Sequence, residues 1–174
     1  MPETKHAIFT IGHSTHPIEL FIAMLRSFDI KLLVDIRSFP GSRKYPHFNK
    51  PELQASLDKA GIQYRHFPDL GGRRKPNPDS VNIAWRNAAF KGYADYMETT
   101  EFRIAIDQLQ GLALKQAVAY MCSEAVWWRC HRSLVSDYLK VNGWKVMHIM
   151  APGKAQEHPY TSAAREEQGR LFYD

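Results

Sequence analysis

Cysteine is scarce in this chain, with two residues in 174. That is too few for a disulfide scaffold, and without a signal sequence both are expected to stay reduced. Long apolar runs are missing as well. Residues 7–12 and 31–36 are apolar but far too short to span a bilayer, and no secretory h-region precedes them. No membrane partner is therefore expected, and the cytoplasm is the default location. There is no polybasic block to act as a flexible clamp on nucleic acid. Even so, a net charge of +5 and a pI near 9.2 lean toward anionic partners. Internal repeats and low-complexity tracts are absent. What remains is the composition of a globular chain, 44% hydrophobic and 12% aromatic, long enough for one domain with a real core.

Short β-branched runs alternate with longer helical stretches. Residues 7–12 read as a buried first strand. Pro17 and Glu19 then open a helix, along which Ile18, Phe21, Ile22, Leu25 and Phe28 form one apolar stripe. The run KLLVDI at 31–36 is nearly all apolar, as a parallel strand covered on both faces should be. Asn49 and Glu52 mark a second helix start and Gly61 its end. A third strand at 62–67 leads into a polar, Pro/Gly-rich loop at 68–79, of the length at which loops tend to be functional. Helix is expected over 82–112 with breaks near Gly92 and Thr99–Thr100. A fourth strand at 117–122, a helix at 133–142 and a fifth strand at 144–149 follow. This order predicts one Rossmann-like three-layer α/β domain over residues 1–150, with a mainly parallel sheet of about five strands. Residues 151–174 read as an extension that packs on the domain or on a neighbour. Ligands of such folds bind at the carboxyl ends of the strands.

The unusual polar clusters each follow a strand. Gly12-His13-Ser14 comes after the first, where a glycine admits a ligand to the backbone and a helix N-terminus favours negative charge; a turn with a capping hydroxyl from Ser14 or Thr15 explains it equally well. Asp35 is costly to bury inside an apolar strand unless it is paired, and Arg37 lies on the same strand face. The pair reads either as a base with a phosphate-binding fork or as a structural ion pair, and Arg43 adds a cation nearby. After the third strand, Gly71-Gly72-Arg73-Arg74-Lys75 resembles an anion-binding loop, with a solvated basic loop as the plain alternative. Neither GxGxxG nor the P-loop pattern GxxxxGK[ST] is present.

The fourth cluster joins Cys122-Ser123-Glu124 to Trp127-Trp128-Arg129-Cys130-His131-Arg132. Cys130 stands just before a helix, a position that lowers a thiol pKa, and a thiolate beside His131 and Arg132 makes chemical sense. The phosphatase spacing of five residues between Cys and Arg is not met, since six separate Cys122 from Arg129. Cys122, Cys130, His131 and His13 are the alternative reading, as metal ligands. The seven residues between the cysteines lack the close pair that structural zinc sites usually carry. Trp85-Arg86-Asn87, Tyr93 and Tyr96 offer rings for base stacking, although helical-spaced aromatics are more often core.

Taken in order, GHS, DIRSFPGSR, DLGGRR, the PDS…N…WRN…F.GYADYM segment and CSEAVWWRCHR resemble the DUF488 family of prokaryotic proteins from about Phe9 to Met150. Ser123 stands where that pattern more often has Ala. The resemblance implies a shared polar site, but no activity or catalytic residue transfers with it.

The resulting expectation is an enzyme acting on a phosphate-bearing ligand, a nucleotide or nucleic acid. Asp35, Glu124, Cys130, His131 and His13 would do the chemistry. Gly12, Ser14, Arg37, Arg43, Gly71, Gly72, Arg73 and Arg132 would hold the ligand. The alternatives are a non-catalytic nucleic-acid-binding module that uses Trp127 and Trp128, and a transition-metal protein. No organic cofactor is implied.

Overall fold

A computed structural model describes residues 6–41 and 43–174. Ser42, part of the DIRSFPGSR segment, lies outside the described residues. Five parallel strands, β1 (Ala7–Gly12), β2 (Leu32–Asp35), β3 (Gln63–His66), β4 (Val118–Cys122) and β5 (Lys145–Ala151), form the central sheet with β6 (Lys154–Glu157). Their spatial order is β3-β2-β4-β1-β5-β6, with β6 antiparallel to β5. The mainly parallel, three-layer architecture is as expected. The sheet has a sixth strand because the chain folds back on β5 at once, so residues beyond 150 extend the sheet. The last residues form a small hairpin, β7 (Arg165–Glu167) and β8 (Arg170–Phe172). Beyond it Tyr173 is buried, its hydroxyl donating to Asp137.

Side chains alternate across the sheet and divide the core in two. Ile8, Leu32, Val34 and Val118 face one way, against α3 (Ala88–Tyr96), α4 (Thr100–Lys115) and α5 (Arg132–Val141). Ile11, Leu33 and Met121 face the other, against α1 (Ile18–Arg26) and α2 (Lys50–Lys59). On α1 the stripe buries Phe21 and Leu25 as expected, together with Met24. The α1 N-cap is Pro17 with no side-chain capping bond, so Ser14 and Thr15 are not the helix caps that the plain reading made them.

Helix over 82–112 is corrected in two places. Residues 82–87 are not helical, because Asn82 and Ser80 turn in to donate to the Asp95 carboxylate and Asn87 caps α3 by accepting from Ala89 and Phe90. Gly92 does not break α3. It is buried there, and a side chain would collide with the Arg74 carbonyl. The break at Thr99 is real, and its hydroxyl caps α4 by accepting from the Phe102 amide.

Adjacent strands β1 and β4 send their following helices to opposite faces, α1 to one and α5 to the other. The carboxyl ends of these strands therefore diverge into a crevice, the place where ligands sit in open α/β sheets.

Candidate functional site

The crevice is a cleft of about 890 Å³ lined from the ends of β1, β2 and β4 and from the loop after β3. The parallel ladder between β1 and β4 runs past the strand ends, with the His13 amide donating to the Cys122 carbonyl at 3.0 Å and the Ser14 amide to the Ser123 carbonyl at 2.9 Å. Gly12 makes this approach possible, since a Cβ there would lie 1.7 Å from the Glu124 carbonyl oxygen. Gly72 likewise leaves room for the His131 ring, which a Cβ would meet at 2.4 Å. These two glycines serve contacts between chain segments, so a ligand is not needed to explain them.

Of the residues expected at the site, His13, Ser14, Arg37, Gly72, Arg73, Glu124, Cys130 and His131 line the cleft together, and Cys122 joins them. Asp35, Gly12, Gly71 and Arg132 lie behind its wall, and Arg43 is exposed away from the lining.

Asp35 is fully buried. It accepts the Arg37 amide and Nε at one oxygen, and Arg37 Nη2 at 2.7 Å and the Tyr64 hydroxyl at 2.6 Å at the other. A carboxylate so fully hydrogen-bonded does not face a substrate. Arg37 also donates to the Phe48 carbonyl and stands 3.3 Å from His13 Nε2, so most of its fork is spent inside the protein. The structural ion pair is the reading the geometry supports, in place of a free base and a free phosphate fork.

Both histidines are held neutral. Burial pushes His13 down to about 4, with Arg37 adding to the fall against the opposing bond to the Ser14 carbonyl. That carbonyl only accepts, so Nδ1 of His13 carries the proton, and the ring stacks on Phe48. Burial likewise lowers His131 to about 4, and its Nε2 donates to the Ile36 carbonyl at 2.8 Å. With these nitrogens engaged, the four residues considered as metal ligands do not form a donor set. Among the described residues no three His, Cys, Asp or Glu side chains are arranged to hold a metal ion.

At the floor of the cleft the Cys122 and Cys130 sulfurs are 2.7 Å apart, both as free thiols. Beneath them is Arg132, only 1% exposed. Its Nη1 donates to the Thr10 hydroxyl and its Nη2 to the Glu124 carbonyl, while Nε has no hydrogen-bond partner among the described residues. No carboxylate pairs with it among the described residues. Arg132 is thus a buried cation that anchors the loop after β4, and not the ligand-binding arginine expected.

Its charge acts on the thiols instead. Burial pushes Cys122 up, but the hydrogen bond from Cys130 and the Arg132 charge outweigh it and bring Cys122 down to about 7. Cys130 moves the other way, raised by burial and by the neighbouring sulfur. The helix N-terminus therefore does not make Cys130 the activated thiol. Of the two, Cys122 is the more acidic thiol.

A chain of hydrogen bonds runs from Arg132 away from the cleft: Thr10 Oγ1 to His148 Nδ1 at 2.5 Å, His148 Nε2 to His158 Nδ1 at 2.8 Å, and His158 Nε2 to Asp137 at 2.8 Å. Arg132 only donates and Asp137 only accepts, so one arrangement of protons, each group donating toward Asp137, satisfies every member with no added charge. Burial, reinforced by His158 and Arg132, holds His148 down at about 2. Trp127 stacks on His148 at 4.9 Å and is core, not a contact surface for nucleic acid.

The mouth of the cleft carries Phe39, 71% exposed, with the Arg73 guanidinium 5.3 Å from its ring, and Trp128, 52% exposed, beside exposed Arg129. Neither Phe39 nor Arg129 was expected to hold the ligand, although both stand in segments that the sequence marked, DIRSFPGSR and the fourth cluster. Trp85 packs on Phe90 and Tyr173, Tyr93 is buried, and Tyr96 lies under the Arg74 guanidinium, so none of these rings offers a base-stacking face.

Fold and cleft together define a doubly wound α/β domain with a thiol-floored site at its topological switch point. The family model for DUF488, a domain of unknown function, matches residues 17–139. The chain belongs to the DUF488 family. The matched span includes Cys122, Cys130 and Arg132 and leaves the Gly12-His13-Ser14 turn just outside. No curated protein and no solved structure matches the chain. No helix among the described residues is long and apolar enough to cross a membrane.

Proposed function

We propose that the protein is an enzyme acting on a phosphate-bearing ligand, a nucleotide or a single-stranded nucleic acid, with the Cys122 thiolate as nucleophile. The observation that carries this reading is Arg132, a buried guanidinium with no carboxylate partner among the described residues, placed under two thiols at the floor of an open cleft. A buried unpaired cation costs several kcal/mol, so the site favours a thiolate as its counter-charge. Exposed Arg73 and Arg129 at the mouth suit phosphate, and the exposed rings of Phe39 and Trp128 suit a base. Glu124, exposed on the same wall, is the group available for proton transfer.

A thermal-shift screen of nucleotides, sugar phosphates and short DNA and RNA, run on wild type and Arg73→Ala, tests the binding half. A ligand at a hundred times its Kd stabilises the native state by about 2.7 kcal/mol. One class stabilising wild type more than Arg73→Ala supports the reading, and no shift from any class removes it. The catalytic half rests on Cys122→Ser, which should bind the same ligand without turnover. The two exposed rings favour a second reading, a nucleic-acid-binding module without chemistry. It would stand if Cys122→Ser behaved as wild type in every assay.

A further inference from the structure

We propose that Cys122 and Cys130 are a site of reversible oxidation, at which a hydroperoxide converts the two thiols into an intramolecular disulfide. The proposal stands on the placement of the sulfurs and is independent of what the cleft binds. At 2.7 Å they are already inside van der Waals contact and roughly 0.7 Å from the length of a disulfide bond. They sit on elements that leave them little freedom to part: Cys122 ends a central strand paired on both sides, and Cys130 lies two residues before α5, next to its N-cap His131. Both line the cleft, Cys122 nearly buried at its floor and Cys130 partly exposed, and the cleft is wide enough to admit a molecule as small as hydrogen peroxide.

Two features of the surroundings direct the chemistry. Redox-sensitive cysteines are low-pKa thiols next to a resolving thiol, in an electropositive pocket. Here Arg132 supplies the positive charge from below, and its Nε has no partner among the described residues. His13 and His131, which line the same cleft, are engaged with the Ser14 and Ile36 carbonyls.

In the first step the Cys122 thiolate attacks one peroxide oxygen. An S–O bond forms, the O–O bond breaks, and the departing hydroxide takes a proton to become water. In the second step Cys130 loses its proton and its sulfur attacks the Cys122 sulfenic acid. The S–S bond forms, the S–O bond breaks, and the second oxygen leaves as water. The two thiols are oxidised by two electrons and the peroxide is reduced by two. The product carries no thiolate, so the counter-charge of Arg132 is lost and the cleft floor becomes unreactive. A dithiol reductant reverses the change by thiol–disulfide exchange.

The test is a thiol count on the full chain. Reduced protein at pH 7 is exposed to a slight excess of hydrogen peroxide, then trapped with N-ethylmaleimide and weighed intact. Wild type should lose both alkylatable thiols while remaining monomeric by non-reducing electrophoresis, and regain both after dithiothreitol. Cys130→Ser should stop at a sulfenic acid that dimedone captures on Cys122. Two alkylated thiols surviving peroxide would overturn the proposal, as would a disulfide between chains or progression to sulfinic acid without a disulfide. The wild-type count alone decides the matter if the variant does not fold. Ligand screening on the reduced protein is a separate readout, so loss of the phosphate reading would leave this result untouched.

Discussion

Two arginines are buried at the carboxyl edge of this sheet, and they differ in what neutralises them. Arg37, just past β2, is clasped by Asp35, which is itself capped by Tyr64. Arg132, at the start of α5, has a hydroxyl and a carbonyl but, among the described residues, no carboxylate and no partner for its Nε. The first charge is cancelled inside the fold and does structural work. The second is left open toward two thiols, and its charge adds to the hydrogen bond from Cys130 in making Cys122 more acidic. A buried charge points to chemistry only where its partner has been withheld.

Acidification probes both arginines at once and should have the largest effect. His13 and His131 are held at about 4 and His148 at about 2, against an ordinary value of 6.5. All three folded-state values are depressed, so the unfolded chain binds more protons below pH 6.5. Stability is full above that value and falls as the pH drops through 5 toward 4. By pH 5 each histidine should cost about 2 kcal/mol. Urea midpoints that stay constant from pH 7 to 5 would contradict the burial of these rings.

Asp35→Ala should come next, at about 3–5 kcal/mol in urea denaturation at pH 7, because it strands Arg37. A loss below 1 kcal/mol would mean that Arg37 reaches solvent and is not a structural ion. Arg132→Met should cost less, about 1–3 kcal/mol, from the Glu124 carbonyl and Thr10 left without their donor. Its sharper signature is chemical: alkylation of Cys122 by iodoacetamide at pH 7 should slow roughly ten-fold as the thiol returns to its usual range. If the alkylation profile did not move, the contrast between the two arginines would collapse. Arg73→Ala should be the mildest, within about 0.5 kcal/mol of wild type, since the residue is exposed. A larger loss would make it part of the fold and not of the cleft mouth.

The sheet was legible from the sequence because apolar runs such as LLVD are buried on both faces and leave no other reading. The loop at 82–87 was not, because its course follows from Asn82 and Ser80 turning toward Asp95, a pairing across distant residues that no local pattern announces. The strand at 154–157 was hidden by its polar KAQE composition, since an antiparallel edge strand needs only a partner for its backbone. At the site, Cys130, His131 and Arg132 were visible as a cluster. What could not be read is which of them turns inward. Residues one apart at a helix start point in different directions, so His131 faces the cleft while Arg132 goes under it. The importance of Cys122 depends on a neighbour ten positions away and was legible only as a metal-ligand alternative.

The position of β1 in the sheet has a consequence for how the chain is born. It is the fourth strand in space but the first to leave the ribosome, and both of its neighbours come late: Phe9 pairs with Ala119 and Ala7 with Lys145, about 110 and 138 residues on. Only β2 and β3 can pair early, so the nascent chain must carry an apolar strand without its ladder until most of the domain has been synthesised. The cleft, built between β1 and β4, is therefore among the last features to exist. A chain interrupted before residue 118 would present an unpaired strand and no site, a species for chaperones or proteases to clear.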